Sequence, residues 1–275
     1  MCRNLALAAT ALSLVLAFPA LAREKTPAPT PAATAKPAEP PAPPRKATPQ
    51  ERIEADRLDP LARAAFWARE VDVDPRDVGA GVSLGSALRA MGRNQDASTT
   101  VLKVLVIDPA NRDALLELAR DYLAGGQGFY AVEPLNKLRA QDGRDWRIVS
   151  LLGVAYEQVS RNADAEEAWG QALVLSPDNP AVLSNLAMHY AAKGDSAQAE
   201  TLLRKAAARP GATLQVRQNL ALVLGLQGRF AEAEQLTRED LPPDIAEANM
   251  AYLHAAAGGD ARSWKTLQGA QSAAN

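Results

Sequence analysis

From about Thr48 onward, apolar and polar positions follow two superimposed periods. Over a dozen residues at a time, large apolar side chains fall three or four apart, the spacing that gathers them on one helix face. Over a longer range the whole arrangement recurs every 34 residues. Frames aligned at Val78, Arg112, Trp146, Pro180 and Leu214 place Leu84, Leu118, Leu152, Leu186 and Leu220 at the seventh position. The eighth position holds Gly85, Ala119, Gly153, Ala187 and Ala221, and the eleventh holds Leu88, Tyr122, Tyr156, Tyr190 and Leu224. Gly92, Gly126, Ser160, Gly194 and Gly228 occupy the fifteenth, and Ala97, Ala131, Ala165, Ala199 and Ala233 the twentieth.

Each recurrent position has a physical reading. The seventh and eleventh are four apart and share one face of a first helix. The small residues at eight and twenty let a second helix approach the first closely. Position fifteen predicts a left-handed residue that ends the first helix. Pro109 and Pro177 stop the second helix, and Asn179-Pro180 restarts the chain as N-cap and first helical residue. A single hairpin of this kind cannot bury its own apolar face, so copies must stack.

The 34-residue helix-turn-helix pattern resembles the tetratricopeptide repeat (TPR). It predicts an all-α, right-handed superhelical solenoid of about five repeats, 78–111, 112–145, 146–179, 180–213 and 214–245. Residues 50–77 read as an N-terminal helical cap or degenerate repeat, and 246–275 as C-terminal capping helices. "DIAEANMAYLHAAAGG" would cover the open end, with a short helix around Ser263 to Gln268. Gly81 and Arg217 stand where a large apolar residue is usual, as expected of a pattern that decays toward its ends.

The segment before the repeats reads differently. "MCRNLALAATALSLVLAFPALA" has the basic, apolar and small-residue regions of a secretory signal, predicting cleavage after Ala22 and a mature chain in the periplasm, with a retained membrane anchor as the alternative. Residues 23–49 hold nine of the 19 prolines and read as a disordered linker. Cys2 is the only cysteine, so a mature chain beginning at Arg23 would have no disulfide, no thiolate metal site and no lipid-bearing cysteine. With 30 basic and 32 acidic residues the charge is nearly balanced, which argues against a nucleic-acid partner.

The search for chemistry predicts no enzyme. Gly81-Val82-Ser83-Leu84-Gly85 matches the G-x-S-x-G hydrolase elbow, but it falls inside a helix rather than on a strand-to-helix turn. His189 and His254 are too few for a histidine metal site, and His189 reads as a surface imidazole. Glu166, Glu167, Glu232 and Glu234 on second helices read as a solvated face. No catalytic residue, metal, cofactor or small-molecule substrate is implied.

What a solenoid offers instead is a groove lined by first helices. In the last three frames its predicted lining includes Arg147, Ser150, Ser184, Asn185, Met188, Gln215, Gln218, Asn219 and Leu222. Asn185 and Asn219 both hold position six, where their carboxamides could pair with a partner's backbone. On this reading, replacing both by Ala would weaken partner capture and leave thermal unfolding almost unchanged. The alternative is that Asn simply tolerates a polar helix surface.

The C-terminal stretch is more specific. "QNLALVLGLQGRFAEAE", the Asp240-Leu-Pro-Pro243 break and the Ala248 to Leu253 helix resemble the end of the TadD family, the TPR proteins of Flp/Tad pilus assembly. The resemblance runs over roughly Leu61 to Ala255. It implies a non-enzymatic scaffold in the cell envelope whose partners are the pilus secretin and other assembly subunits, with outer-membrane association through them. Family members are often lipoproteins, and Arg23 departs from that. An adaptor for another periplasmic process, such as polysaccharide export or cell-wall enzyme regulation, is the alternative.

Overall fold

The computed structural model describes residues 45–255, which form thirteen α-helices and no strands. The predicted signal, most of the predicted linker and the helix expected around Ser263 lie outside these residues. Five helix pairs make up the array: α3 (Val78–Ala90) with α4 (Asn94–Ile107), α5 (Arg112–Ala124) with α6 (Gly128–Gln141), α7 (Trp146–Gln158) with α8 (Asn162–Leu175), α9 (Pro180–Ala192) with α10 (Ser196–Ala207), and α11 (Leu214–Leu226) with α12 (Phe230–Asp240). Helices α1 (Pro49–Ala55) and α2 (Pro60–Val73) precede them, and α13 (Pro243–Ala255) follows.

The ends of the first helices are set by local chemistry that repeats. Asp77, Asn111, Asp145 and Asn179 immediately precede α3, α5, α7 and α9, and each side chain accepts a backbone N–H of the first turn. At the other end, the N–H of Arg93, Gln127, Arg161, Asp195 and Arg229 donates back to the carbonyl of Leu88, Tyr122, Tyr156, Tyr190 and Leu224 at 2.8–2.9 Å. This closure requires a left-handed residue between, and position fifteen supplies it in every unit, with φ of 73° at Gly92 and 62° at Ser160.

Within a unit the two helices meet through the smallest side chains. The five Ala residues at position twenty are all fully buried. A Cβ at Gly153 would come within 2.5–2.8 Å of the Trp169 indole, and one at Gly85 within 2.4 Å of a Val101 methyl. Gly81 is not a decayed position. It admits Val104, whose methyl would lie 2.4 Å from an added Cβ. Arg217 likewise has a partner, forking onto Asp240 at the end of α12 with two bonds of 2.7 Å.

Between units, fully buried Leu135, Leu138, Ile148 and Leu152 lie in one apolar cluster spanning the second and third pairs, and Leu203 in another spanning the fourth and fifth. Each such side chain contributes about 1.5–3 kcal/mol on leaving water. Met250 and Leu253 of α13 close the far end, with Leu253 seated against Gly225. At the near end the folded region begins before the predicted linker boundary. Thr48 caps α1, Ala47 is buried, and the Ala47 N–H donates to Glu70 at 2.9 Å. Arg52 bridges fully buried Glu70 and Asp77 at 2.9 and 2.6 Å, tying α1 to α2 and α3.

Ser160 is the one non-glycine at position fifteen, held at a φ that an L-residue adopts at a cost of about 1 kcal/mol. Ser160→Gly is expected to stabilise the chain by about 0.5–1 kcal/mol in urea unfolding, the gain being trimmed by glycine's freedom in the unfolded state.

Candidate functional site

Successive first helices touch one another, α3 with α5, α5 with α7, α7 with α9 and α9 with α11. The second helices instead make their main contacts with the first helices on either side. The first helices are therefore the closer-spaced set and line the inside of the array.

Along this inner side the predicted residues divide into two groups. Arg147 and Gln215 are exposed, and Asn185, Met188 and Gln218 are half-buried, so these five have atoms open to solvent. Ser150, Ser184, Asn219 and Leu222 are buried and do not. The three polar ones lie in the seam between first helices. Asn219 Nδ2 donates to Ser184 Oγ at 3.0 Å, and its Oδ1 accepts from Gln215 Nε2 at 2.9 Å. Asn185 Nδ2 repeats the arrangement one unit earlier, donating to Ser150 Oγ at 3.4 Å. The position-six Asn residues thus bridge consecutive units, and the expectation that both carboxamides face outward is corrected. Leu222 is buried within the apolar cluster that also holds Met250 and Leu253.

The open floor of α9 and α11 is uncharged, offering the amides of Asn185, Gln215 and Gln218 beside the Met188 thioether. Arg147 at its edge is held by Asp145 at 2.8 Å. Charge appears deeper and toward the N-terminal units. Arg89 of α3 donates to Glu117 of α5 at 2.8 Å and lies 3.4 Å from Asp121. Asp121 is buried with neither carboxylate oxygen hydrogen-bonded. Burial first, and the Glu117 carboxylate second, push its pKa up to about 7.

His189 contradicts its sequence reading. The ring is fully buried, packed against Trp169 and Tyr190, with Nδ1 2.7 Å from Glu157 of α7. Glu166 is also more than a solvated carboxylate. It accepts the Tyr190 hydroxyl at 2.6 Å, which holds its carboxyl below the usual range. Glu167, Glu232 and Glu234 do lie on exposed helix faces, bonded to Gln171, Arg229 and Arg238. Ser83 sits in the middle of α3, where both flanking glycines serve helix contact. No group of three or more His, Cys, Asp or Glu suited to a metal ion occurs among the described residues.

The outer side carries a feature that the frame alignment passed over. An apolar hollow of about 910 Å³ opens between α4 and α6, lined by Leu102, Tyr122, Phe129, Tyr130, Val132 and Pro134 among others. The adjacent aromatic pair Phe129-Tyr130 at the start of α6, largely exposed, was its sequence signal.

Tetratricopeptide repeat family models match residues 180–205 and 213–241, the fourth and fifth units. A thermophilic TPR protein of Thermus thermophilus is 26% identical over 64% of this chain and 98% of its own, with a TM-score of 0.58. MamA from Desulfovibrio magneticus RS-1 (residues 41 to the end) is 23% identical over 57% of this chain and 89% of its own, with a TM-score of 0.51. The APC/C hetero-tetramer Cut9–Hcn1 is 16% identical over 75% of this chain, which spans 39% of that longer chain, with a TM-score of 0.59. The latter two likenesses concern the fold alone. No curated protein matches. The fold is a TPR solenoid, an architecture that presents an extended concave surface to protein partners.

Because Asn219 is buried between two partners, Asn219→Ala is expected to cost about 1–2 kcal/mol of unfolding free energy, measured by urea denaturation. Asn185→Ala, whose bond is longer and whose site is half-open, should cost less. This replaces the expectation of unchanged thermal unfolding for the pair.

Proposed function

We propose that this protein is a periplasmic scaffold of the TadD kind, supporting Flp/Tad pilus biogenesis by holding a segment of the pilus secretin or another assembly subunit in its concave groove. The observation that carries the binding part is the uncharged inner floor of α9 and α11, where Asn185, Gln215 and Gln218 offer amide donors and acceptors around Met188. Such a floor favours an apolar or neutral segment. An acidic or phosphorylated tail would call for clustered Arg or Lys, which this stretch lacks. The pilus part is supported by the resemblance of residues 218–255 to the TadD C-terminal end, and the envelope setting by the signal-like pattern of residues 1–22.

The test is in-cell photocrosslinking from positions 188 and 218, which are partly open to solvent, with position 219 as a buried control. Capture of the pilus secretin or a Tad subunit from 188 and 218, and not from 219, is the expected result. Specific capture only of polysaccharide-export or cell-wall proteins would replace the pilus assignment with the alternative adaptor role. No crosslink from either open position would remove the groove as the binding surface.

A further inference from the structure

The two most deeply buried ionisable groups of the inner seam occupy equivalent places. Asp121 and His189 both stand at position ten of a first helix, and each faces a charged residue at position twelve of the preceding first helix, Arg89 and Glu157. Both are fully buried, and both keep polar atoms without a hydrogen-bond partner. We propose that the first of these, Arg89–Glu117–Asp121 between the first and second units, is a proton-binding joint that tightens on proton uptake.

At this joint, Asp121 and Glu117 lie one turn apart on α5 and share a single close cation, Arg89, with Arg120 3.8 Å from Glu117. Two buried carboxylates beside one guanidinium leave an excess negative charge in the seam. A proton on Asp121 removes it and supplies an O–H donor. Helices α4, α6 and α7 also pack on α5, but bring no ion-pair partner to either carboxylate among the described residues. Because the folded-state pKa of Asp121, about 7, lies above its unfolded value, the folded form takes up a proton. Its contribution is present in full below about pH 4 and is lost as the pH rises through about 7.

The experiment follows thermal midpoints of the full chain from pH 5.5 to 8.5 in wild type and Asp121→Asn. Asp121→Asn should exceed wild type at pH 8.5, with an advantage that shrinks by about 2–4 °C on going to pH 5.5. A midpoint gap that stays constant across this range overturns the proposal. Should the variant fail to fold, ¹³C NMR of the wild-type side-chain carboxyls decides. An Asp121 carboxyl still protonated at pH 5.5 and ionised by pH 8.5 supports the proposal, and one ionised throughout overturns it.

Discussion

The structure depends on how closely two helices approach inside each unit. The Ala residues at position twenty are fully buried, and a Cβ at the position-eight glycines Gly85 and Gly153 would meet Val101 and Trp169 of the second helix at 2.4–2.8 Å. Where position eight is Gly153, the space it leaves is taken by Trp169, whose Nε1 donates to the Ser150 carbonyl at 3.1 Å. The hairpin is thus a thin two-helix layer with apolar residues left over on its flank. Those residues can be buried only by the next layer, so the requirement for stacking follows from the close contact within each unit.

Stacking has a consequence for polar residues. The first helices come close enough to touch their neighbours, so side chains that point along the array from one first helix meet the next. Asn219 reaches Ser184, Asn185 reaches Ser150, Arg89 reaches Glu117, and Glu157 reaches His189. An all-apolar seam could be packed in more than one way. A donor that finds its acceptor in one alignment only fixes how each layer sits on the last, as polar core positions do in coiled coils. The seam therefore combines apolar burial, which drives stacking, with polar pairs that select its register.

The period of the array, the helix pairs and the residues that end them were legible from the sequence because each depends on one unit at a time. Position fifteen must be left-handed, and the Asp or Asn before α3, α5, α7 and α9 caps, whatever the neighbours do. The inner surface was harder to read. Ser184 and Asn219 are polar and fall on the predicted groove face, yet they are buried because each meets the adjacent first helix. His189 was misplaced for the same reason. Its environment is supplied by Glu157 and Trp169, from the preceding unit. A signal was present nonetheless. Asn–Ser pairs recur at a separation of 35 residues, and Glu157 and His189 stand 32 apart, close to but offset from the 34-residue period. Complementary residues at such offsets identify position pairs that touch across a seam.

This division between seam and floor changes what the groove can recognise. With Asn219 and both serines engaged inside, the hydrogen-bonding capacity left for a partner rests on Asn185, Gln215 and Gln218, and Gln215 already shares one N–H with Asn219. Recognition of an extended segment would then be spread over few amides, each also tied to inter-unit register. A partner that pulls on Gln215 or Asn185 pulls on the seam between units. On the proposed groove reading, binding and the alignment of the repeats would be coupled through the same side chains, so a segment that fits one curvature of the array would also stabilise that curvature.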